Sequence, residues 1–183
     1  MFTIEHKILN ETLEEIKKMS LNEFVNEFDG DIEGQIKITF NNKTIGYIND
    51  EIPFSEELLV WWLTKLNQAI YTLNQNNYVA FYILDTDNIW LELKVNDDLI
   101  HVRKIKLKLK NINKSLVDKP MEEFEKYKWE GITVGKNEFI KRVVQDSQLL
   151  INEISEINSK LIESESIKNL RKFLYLNINN VVS

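Results

Sequence analysis

The sequence has no cysteine, and its 183 residues include only 5 glycines, 2 prolines and 2 histidines. Without cysteine there is no disulfide, no thiolate nucleophile and no Cys-ligated zinc site. So little glycine and proline excludes collagen-like chains and proline-rich linkers, which leaves asparagine and aspartate to form many of the turns. No apolar run approaches the roughly 20 residues of a membrane-spanning helix. We therefore expect a soluble globular protein.

Motifs of common catalytic sites are missing as well. The chain contains no HExxH, GxSxG, GxxxxGK[ST] or GxGxxG pattern, so zincin, serine-hydrolase, P-loop and dinucleotide-binding functions have no local support. The two histidines, His6 and His101, are far apart and lack ligand spacing. Asp85 and Asp87 resemble the start of a calcium loop, but Trp90 stands where an EF-hand needs glycine. We expect no metal, no cofactor and no enzymatic activity.

Charge is distributed unevenly along the chain, whose formal net charge is -6. Residues 1–98 carry 18 acidic and 7 basic side chains, whereas residues 99–135 carry 9 basic and 5 acidic ones. An acidic N-terminal half disfavours nucleic-acid binding, which requires accumulated positive charge, and favours a basic protein partner. The N-terminus lacks the basic start and apolar run of a secretion signal, so we expect a cytoplasmic location.

The β-like segments predict a mostly antiparallel sheet. Polar and apolar residues alternate within residues 35–48 around an asparagine turn, which indicates a hairpin. Three further runs within residues 78–109 are joined by short Asp/Asn turns and indicate an antiparallel meander. Residues 78–84 are apolar on both faces, so this strand should be central and covered twice. A further strand is expected at residues 124–134.

Helical periodicity places helices before, within and after these strands. The first covers residues 11–28, with a break at Ser20, where a capping box can form. The second follows an N-cap at Ser55 and continues to about residue 74. Residues 136–176 form a C-terminal helical part that packs on the sheet or extends from it. Together these elements predict one α+β domain over residues 1–183.

One tryptophan and several carboxylates of the meander are candidates for partner binding. In residues 89–95 the odd-numbered side chains form the core face, so Trp90 should point away from that core. An outward tryptophan beside carboxylates has the character of an interface anchor, although it could instead fill a second intramolecular core. The predicted partner-binding residues are Asp85, Asp87, Trp90, Glu92, Asp97 and Asp98.

A basic face follows in the last strand of the meander. Alternation from residue 103 onward places lysines on one face and Ile105, Leu107 and Leu109 on the other. Such a face could bind RNA, phosphate or an acidic partner. No aromatic residue is interleaved with these lysines, which favours a solvated face that discourages edge-to-edge aggregation. The residues of this face are Lys104, Lys106, Lys108 and Lys110.

The apolar alternation changes phase within the same strand, because Ile100 and Val102 are even-numbered whereas Ile105 and Leu107 are odd-numbered. A regular strand would bury one set and expose the other. One extra residue near Arg103, a β-bulge, would restore a common face. We therefore predict a bulge in the pairing of this strand with the preceding one.

The order of elements over residues 34–110 is a hairpin, a helix containing Glu57-Leu58-Leu59-Val60-Trp61-Trp62, and a meander. In size, charge and element order the chain resembles the small acidic α+β immunity proteins that Gram-positive bacteria carry beside polymorphic toxins. The resemblance implies a tight toxin inhibitor without catalysis of its own, and the acidic half suits a basic nuclease-like target.

Three alternatives stay open at this point. They are a phage-encoded inhibitor of a host defence enzyme, a structural homodimer through the C-terminal helix, and an enzyme without a linear motif. The adjacent reading frame discriminates among them. A large secreted toxin gene would favour inhibition, whereas a metabolic operon would favour catalysis.

Because the chain has no cysteine and only two distant histidines, its folding should not depend on a metal ion. We expect a chelator to leave the melting temperature in differential scanning calorimetry unchanged. Stoichiometric zinc or iron in elemental analysis, or a fall of several degrees on chelation, would contradict this expectation.

Overall fold

The computed structural model describes residues 1–52, 54–55, 57–108 and 114–181, with side chains described as far as residue 179. This part of the chain forms nine strands, five α-helices and one 3-10 turn. In chain order they are β1 (Phe2–Ile8), α1 (Asn10–Ile16), α2 (Leu21–Phe28), β2 (Glu33–Phe40), β3 (Lys43–Gly46), β4 (Glu57–Leu58), α3 (Leu59–Asn76), β5 (Tyr78–Tyr82), β6 (Ile89–Asn96), β7 (Leu99–Leu107), β8 (Leu116–Val117), β9 (Phe124–Gly135), α4 (Lys136–Asn158), the 3-10 turn (Leu161–Glu163) and α5 (Glu165–Val181).

The first sheet is built around β2, which pairs antiparallel with β1 along one edge. Two short strands share the other edge, where β3 pairs with residues 37–40 and β4 pairs with residues 33–34. The predicted hairpin is therefore present as β2 and β3. Its second arm ends at Gly46, and the chain leaves the sheet there before it returns as β4.

The second sheet has the strand order β8-β5-β6-β7-β9, and every neighbouring pair is antiparallel. Strands β5, β6 and β7 are the predicted meander, and β9 is the predicted later strand. The fold is α+β with antiparallel sheets and a long C-terminal helical part, as the sequence predicted. β5 has a neighbour on each side, and its side chains are buried on both faces, as expected from its apolar sequence.

A contiguous apolar core joins the two sheets to the long helices. Helix α3 contacts β5 and β6 of the second sheet, while α4 packs on β1 of the first. Helix α5 lies against α3, and α4 contacts both of them. Helix α3 thus occupies the middle of the structure, where Trp62, Leu63 and Leu66 are almost completely buried.

A second, smaller core covers the opposite face of the second sheet. It contains Trp90, Ile105 and Leu107, with Met121 and Phe124 packed against it. The chain that includes β8 and leads into β9 supplies this cover. A sheet that carries apolar side chains on both faces needs a cover on each of them.

This second core explains the phase change in β7, and the predicted bulge against β6 is wrong. The two strands pair without interruption from Ile89 opposite Lys106 to Asn96 opposite Leu99. Ile100 and Val102 enter the main core, while Ile105 enters the second core on the other face. The strand stays regular because both faces are buried, so each apolar set has its own core. The irregularity lies on the other side of β7, in its pairing with β9.

Two elements differ from the sequence prediction. Strand β1 was not predicted, because its apolar alternation is interrupted by His6 and its ladder depends on distant β2. Helix α3 begins at Leu59 instead of following an N-cap at Ser55, because Glu57 and Leu58 are held in the sheet by β2. The predicted break at Ser20 is confirmed: its hydroxyl accepts from the Glu23 N–H, and the Glu23 carboxylate accepts from the Ser20 N–H.

The N-terminus of α3 is capped by a carboxylate from a distant part of the chain. Asp31 accepts hydrogen bonds from the backbone N–H groups of Val60 and Trp61, both at 2.8 Å, and from Ile32 at 2.7 Å. These bonds satisfy helix N–H groups that no intrahelical carbonyl can reach. The Asp31 side chain is buried, and burial raises its pKa to about 6 against the lowering effect of the three hydrogen bonds.

Replacing Asp31 by alanine should lower the free energy of unfolding by about 2 kcal/mol, since the first N–H groups of α3 would be buried without acceptors. Asp31→Asn provides a control that does not titrate. Because the folded-state pKa lies above the ordinary 3.8, folding takes up a proton between these two values. The stability of the wild type relative to Asp31→Asn should therefore rise as the pH falls through about 6, in urea titrations at each pH. A pH-independent difference would contradict the assignment.

Candidate partner-binding site

The predicted partner-binding residues do not form one surface. Asp85 and Asp87 lie in the turn before β6, whereas Asp97 and Asp98 lie in the turn after it. The eight residues of β6 separate these two turns by roughly 25 Å. All four aspartates are exposed, but they belong to opposite ends of the sheet.

The other two predicted residues lie inside the protein. Trp90 does point away from the main core, as expected, but it is only 2% exposed because it fills the second core. Glu92 is buried opposite Arg103, which donates to it through Nε and through Nη2 at 2.9 Å. The Tyr78 hydroxyl also donates to Glu92 at 3.0 Å, and burial together with this carboxylate raises the Tyr78 pKa. In this conformation neither Trp90 nor Glu92 is available as a surface anchor.

The predicted basic face is largely occupied by partners within the chain. Lys106 contacts Asp87 at 2.6 Å, and Lys108 contacts Glu125 at 3.4 Å. Lys104 lies over the ring of Trp129 with its Nζ 4.3 Å from the centroid, so β9 supplies an aromatic that the local sequence lacks. Burial, and secondarily the charge of Lys128, lowers the Lys104 pKa. Lys110, the last member of the predicted face, lies outside the described residues.

A different surface feature stands out between β3 and β4. Gly46 ends β3 opposite Lys37, and Glu57 begins β4 opposite Gly34. Only positions 35 and 36 of β2 lie between these two pairs, so a continuous strand would need two residues to connect Gly46 to Glu57. The chain has ten, residues 47–56. The described residues of this segment, 47–52 and 54–55, lie outside the strands and helices, and we call them the edge loop. Compact surface loops of this kind frequently carry function.

The edge loop is fixed to the sheet at its start and in its middle. Gly46 has φ +68°, and a Cβ there would lie 2.0 Å from the Ile36 carbonyl oxygen, so only glycine lets the chain leave at this point. Gln35 is completely buried beneath the loop. Its amide group donates to the carbonyls of Asn49 at 3.2 Å and Ile52 at 2.8 Å, and its carbonyl accepts from the Asn49 N–H at 2.8 Å.

The edge loop presents an aromatic side chain to solvent. Phe54 is 72% exposed, the largest exposed fraction of any large hydrophobic side chain among the described residues. An exposed aromatic ring two residues beyond a backbone position held by a buried side chain is available for contact with another molecule.

The sequence around Phe54 is acidic. Between Lys43 and Lys65 the sequence has four carboxylates and no basic residue. Asp50 pairs with Lys7 at 2.6 Å, and the hydrogen bond from Lys7 lowers the Asp50 pKa, so this carboxylate stays ionised. Glu51 is exposed beside it. The edge loop therefore combines negative charge with two exposed aromatic rings, Phe54 and, at 41%, Tyr47.

Sequence reasoning missed this site for a physical reason. The sequence pattern assigns the first loop residues to the hairpin, which it predicts as far as residue 48, and Ser55 to the N-cap of the next helix. It therefore does not reveal the length of the loop. The signal that the sequence does carry is the stretch around Phe54, which has carboxylates and no basic residue. This stretch lies before the meander, where the sequence placed the partner-binding residues. The role of Gln35 depends on its burial under residues 14 and 17 positions away, which no local pattern reveals.

A second group of titratable side chains lies where β1 meets α4. The His6 side chain is 2% exposed, and its Nε2 lies 3.0 Å from Glu153 Oε2. Arg142 donates to the Ile4 carbonyl and pairs with Asp146, whose pKa is raised by burial. These contacts attach the edge strand of the first sheet to α4. Across the described residues, no three His, Asp or Glu side chains are arranged to hold a metal ion.

None of the helices in the described part of the chain combines the length and the apolar character that crossing a bilayer requires. In comparisons with known proteins, no family matches this chain, and neither a curated protein nor a solved structure is significantly similar to it. Function is therefore inferred from the geometry of the site.

Replacing Gln35 by alanine should release the edge loop and lower the free energy of unfolding by about 2 kcal/mol, because three backbone groups lose their partner. We expect the Asn49 amide to exchange its hydrogen much faster, while amides of the β5–β6 ladder change only with global stability. Gln148→Ala, which removes an exposed glutamine side chain, is the matched control. Unchanged exchange at Asn49 in the Gln35 variant would show that the loop is held in another way.

Proposed function

We propose that the protein is a non-catalytic inhibitor that binds a basic protein partner, and that it acts as an immunity protein against a toxin such as a nuclease domain. The observation that carries this proposal is Phe54, an exposed ring on an acidic loop that a buried glutamine holds in place. The site therefore differs from the one the sequence suggested, while the partner chemistry stays the same.

The proposed mechanism has two steps. The acidic N-terminal half attracts a basic surface over a distance of about one Debye length, roughly 8–10 Å at physiological salt, and raises the association rate. Phe54 then enters an apolar pocket of the partner and loses its contact with water, which slows dissociation. Because the loop is already held by Gln35, little conformational entropy is lost on binding.

The same surface would serve a phage-encoded inhibitor of a host defence enzyme, since such enzymes also carry basic substrate-binding clefts. The immunity protein and the phage-encoded inhibitor differ only in the source of the target. The gene neighbourhood separates them, because an immunity protein is encoded beside its toxin.

The test uses the toxin domain encoded next to the gene, with binding followed by surface plasmon resonance. We expect Phe54→Ala to raise the Kd at least tenfold, mainly through faster dissociation, because a central aromatic anchor typically contributes about 2 kcal/mol or more. Tyr127→Ala is the matched control, since Tyr127 is also an exposed aromatic residue, at 41%, but lies on β9.

A second set of association-rate measurements tests the electrostatic step. Glu51→Lys should lower the association rate, and the wild-type association rate should fall as salt rises from about 50 to about 150 mM. An unchanged affinity on Phe54→Ala would remove the edge loop as the binding site. A metabolic gene neighbourhood, together with an association rate independent of salt, would overturn the proposed function.

A further inference from the structure

A groove of about 630 Å³ runs between α4 and α5, and none of its lining residues belongs to the edge loop. Its apolar lining includes Ile151 from α4 and Leu174 from α5. Tyr175 and Ile178, also in the lining, are 67% and 39% exposed, so the groove is only partly filled by its own side chains. Large apolar side chains left at the rim of a groove are typical of a docking surface.

The charge of this groove is opposite to that of the protein as a whole. Lys168, Arg171 and Lys172 line it from α5, whereas the chain has a net charge of -6. Their spacing along the helix places them beside Tyr175 on one face. Lys168 pairs with Glu163 at 3.2 Å, but among the described residues no ion pair engages Arg171 or Lys172. The α4 wall is neutral there, with Gln148 donating to Asn152 at 2.9 Å.

We propose that this groove binds an acidic amphipathic helix of another protein. A third helix lying along α4 and α5 would place apolar side chains, spaced three and four residues apart, against Leu174 and Ile178. Its carboxylates would then reach Arg171 and Lys172, two positive charges at the rim for which the described residues supply no ion pair. This site is separate from the edge loop, and the inference does not depend on the proposed function.

Charge also argues against a second copy of the chain as the occupant. In a two-fold dimer the same patch faces itself, so the basic residues of α5 would meet the basic residues of the partner's α5. Repulsion between like charges disfavours that arrangement. An acidic helix instead neutralises the rim while it covers the exposed tyrosine and isoleucine.

The experiment is a selection from a displayed library of 16-residue helical peptides, with leucine fixed at the i, i+3, i+4 and i+7 positions and the remaining positions randomised among polar residues. The full-length wild-type protein is the target, and Arg171→Glu/Lys172→Glu is used for counter-selection. We expect enrichment of peptides rich in Asp and Glu. Synthesised as single peptides, they should lose at least tenfold in affinity for the double variant in fluorescence anisotropy. Lys17→Glu/Lys18→Glu, which reverses two consecutive exposed lysines elsewhere, is the matched control and should bind as the wild type does.

Three outcomes would overturn the proposal. Enrichment of neutral or basic peptides, or no enrichment at all, would exclude an acidic helix as the ligand. Equal loss of binding in the lysine control would mean that only overall charge matters. Concentration-dependent dimerisation of the wild type in light scattering, abolished by Tyr175→Asp, would assign the groove to a second copy. Circular dichroism of each variant verifies folding, and because all these positions are exposed the folded state should persist.

Discussion

The buried carboxylate of Asp31 at the N-terminus of α3 is the interaction on which the rest of the arrangement depends. Helix α3 lies in the middle of the molecule, so its first N–H groups cannot turn to water and need acceptors from the protein. Asp31 supplies two of them and also binds the Ile32 N–H. The adjacent Gly30 accepts from the hydroxyls of Ser164 and Ser166, which precede and begin α5. One short turn thus joins the end of α2 to the starts of α3 and α5.

Farther along α3, a polar network fixes how the three long helices pack. The Asn67 amide donates to the Leu63 carbonyl and to the Ser147 hydroxyl of α4, at 2.8 and 2.7 Å. Asn177 of α5 donates to the Asn67 backbone carbonyl at 2.9 Å. All three side chains are completely buried, and buried polar groups tolerate few alternative partners. The network therefore specifies the register of α4 and α5 on α3, and with it the shape of the groove between α4 and α5.

Local patterns predicted the elements whose signals lie within a few residues of each other. Alternation and turn chemistry were sufficient for the meander β5–β7, and the capping box at Ser20 marked the start of α2. The parts that failed depend on distant partners. The cap of α3 comes from Asp31, 29 residues before Val60, so Ser55 was a reasonable but wrong candidate. Trp90 was correctly assigned to the outer face of its strand, but only the chain around β8 determines that this face is covered. The phase change in β7 does mark a strand with apolar residues on both faces. The structure buries the second set in a second core, whereas the sequence predicted a bulge.

The candidate site could not be predicted because it is an interruption of regular structure. Each end of the edge loop is set by β2: Gly46 leaves the sheet beside Ile36, and Glu57 rejoins it opposite Gly34. From Glu57 the chain passes within two residues into α3, whose start Asp31 holds. Gln35 lies between these two attachments, so the loop that carries Phe54 is fixed by the same strand that positions the central helix. A mutation that loosens the α3 cap should therefore also loosen the edge loop, because Asp31 lies two residues before β2 and Gln35 is the third residue of that strand. Phe54 is thus carried by a loop that is attached to the core through Asn49 and Ile52, although the ring itself contributes nothing to that core.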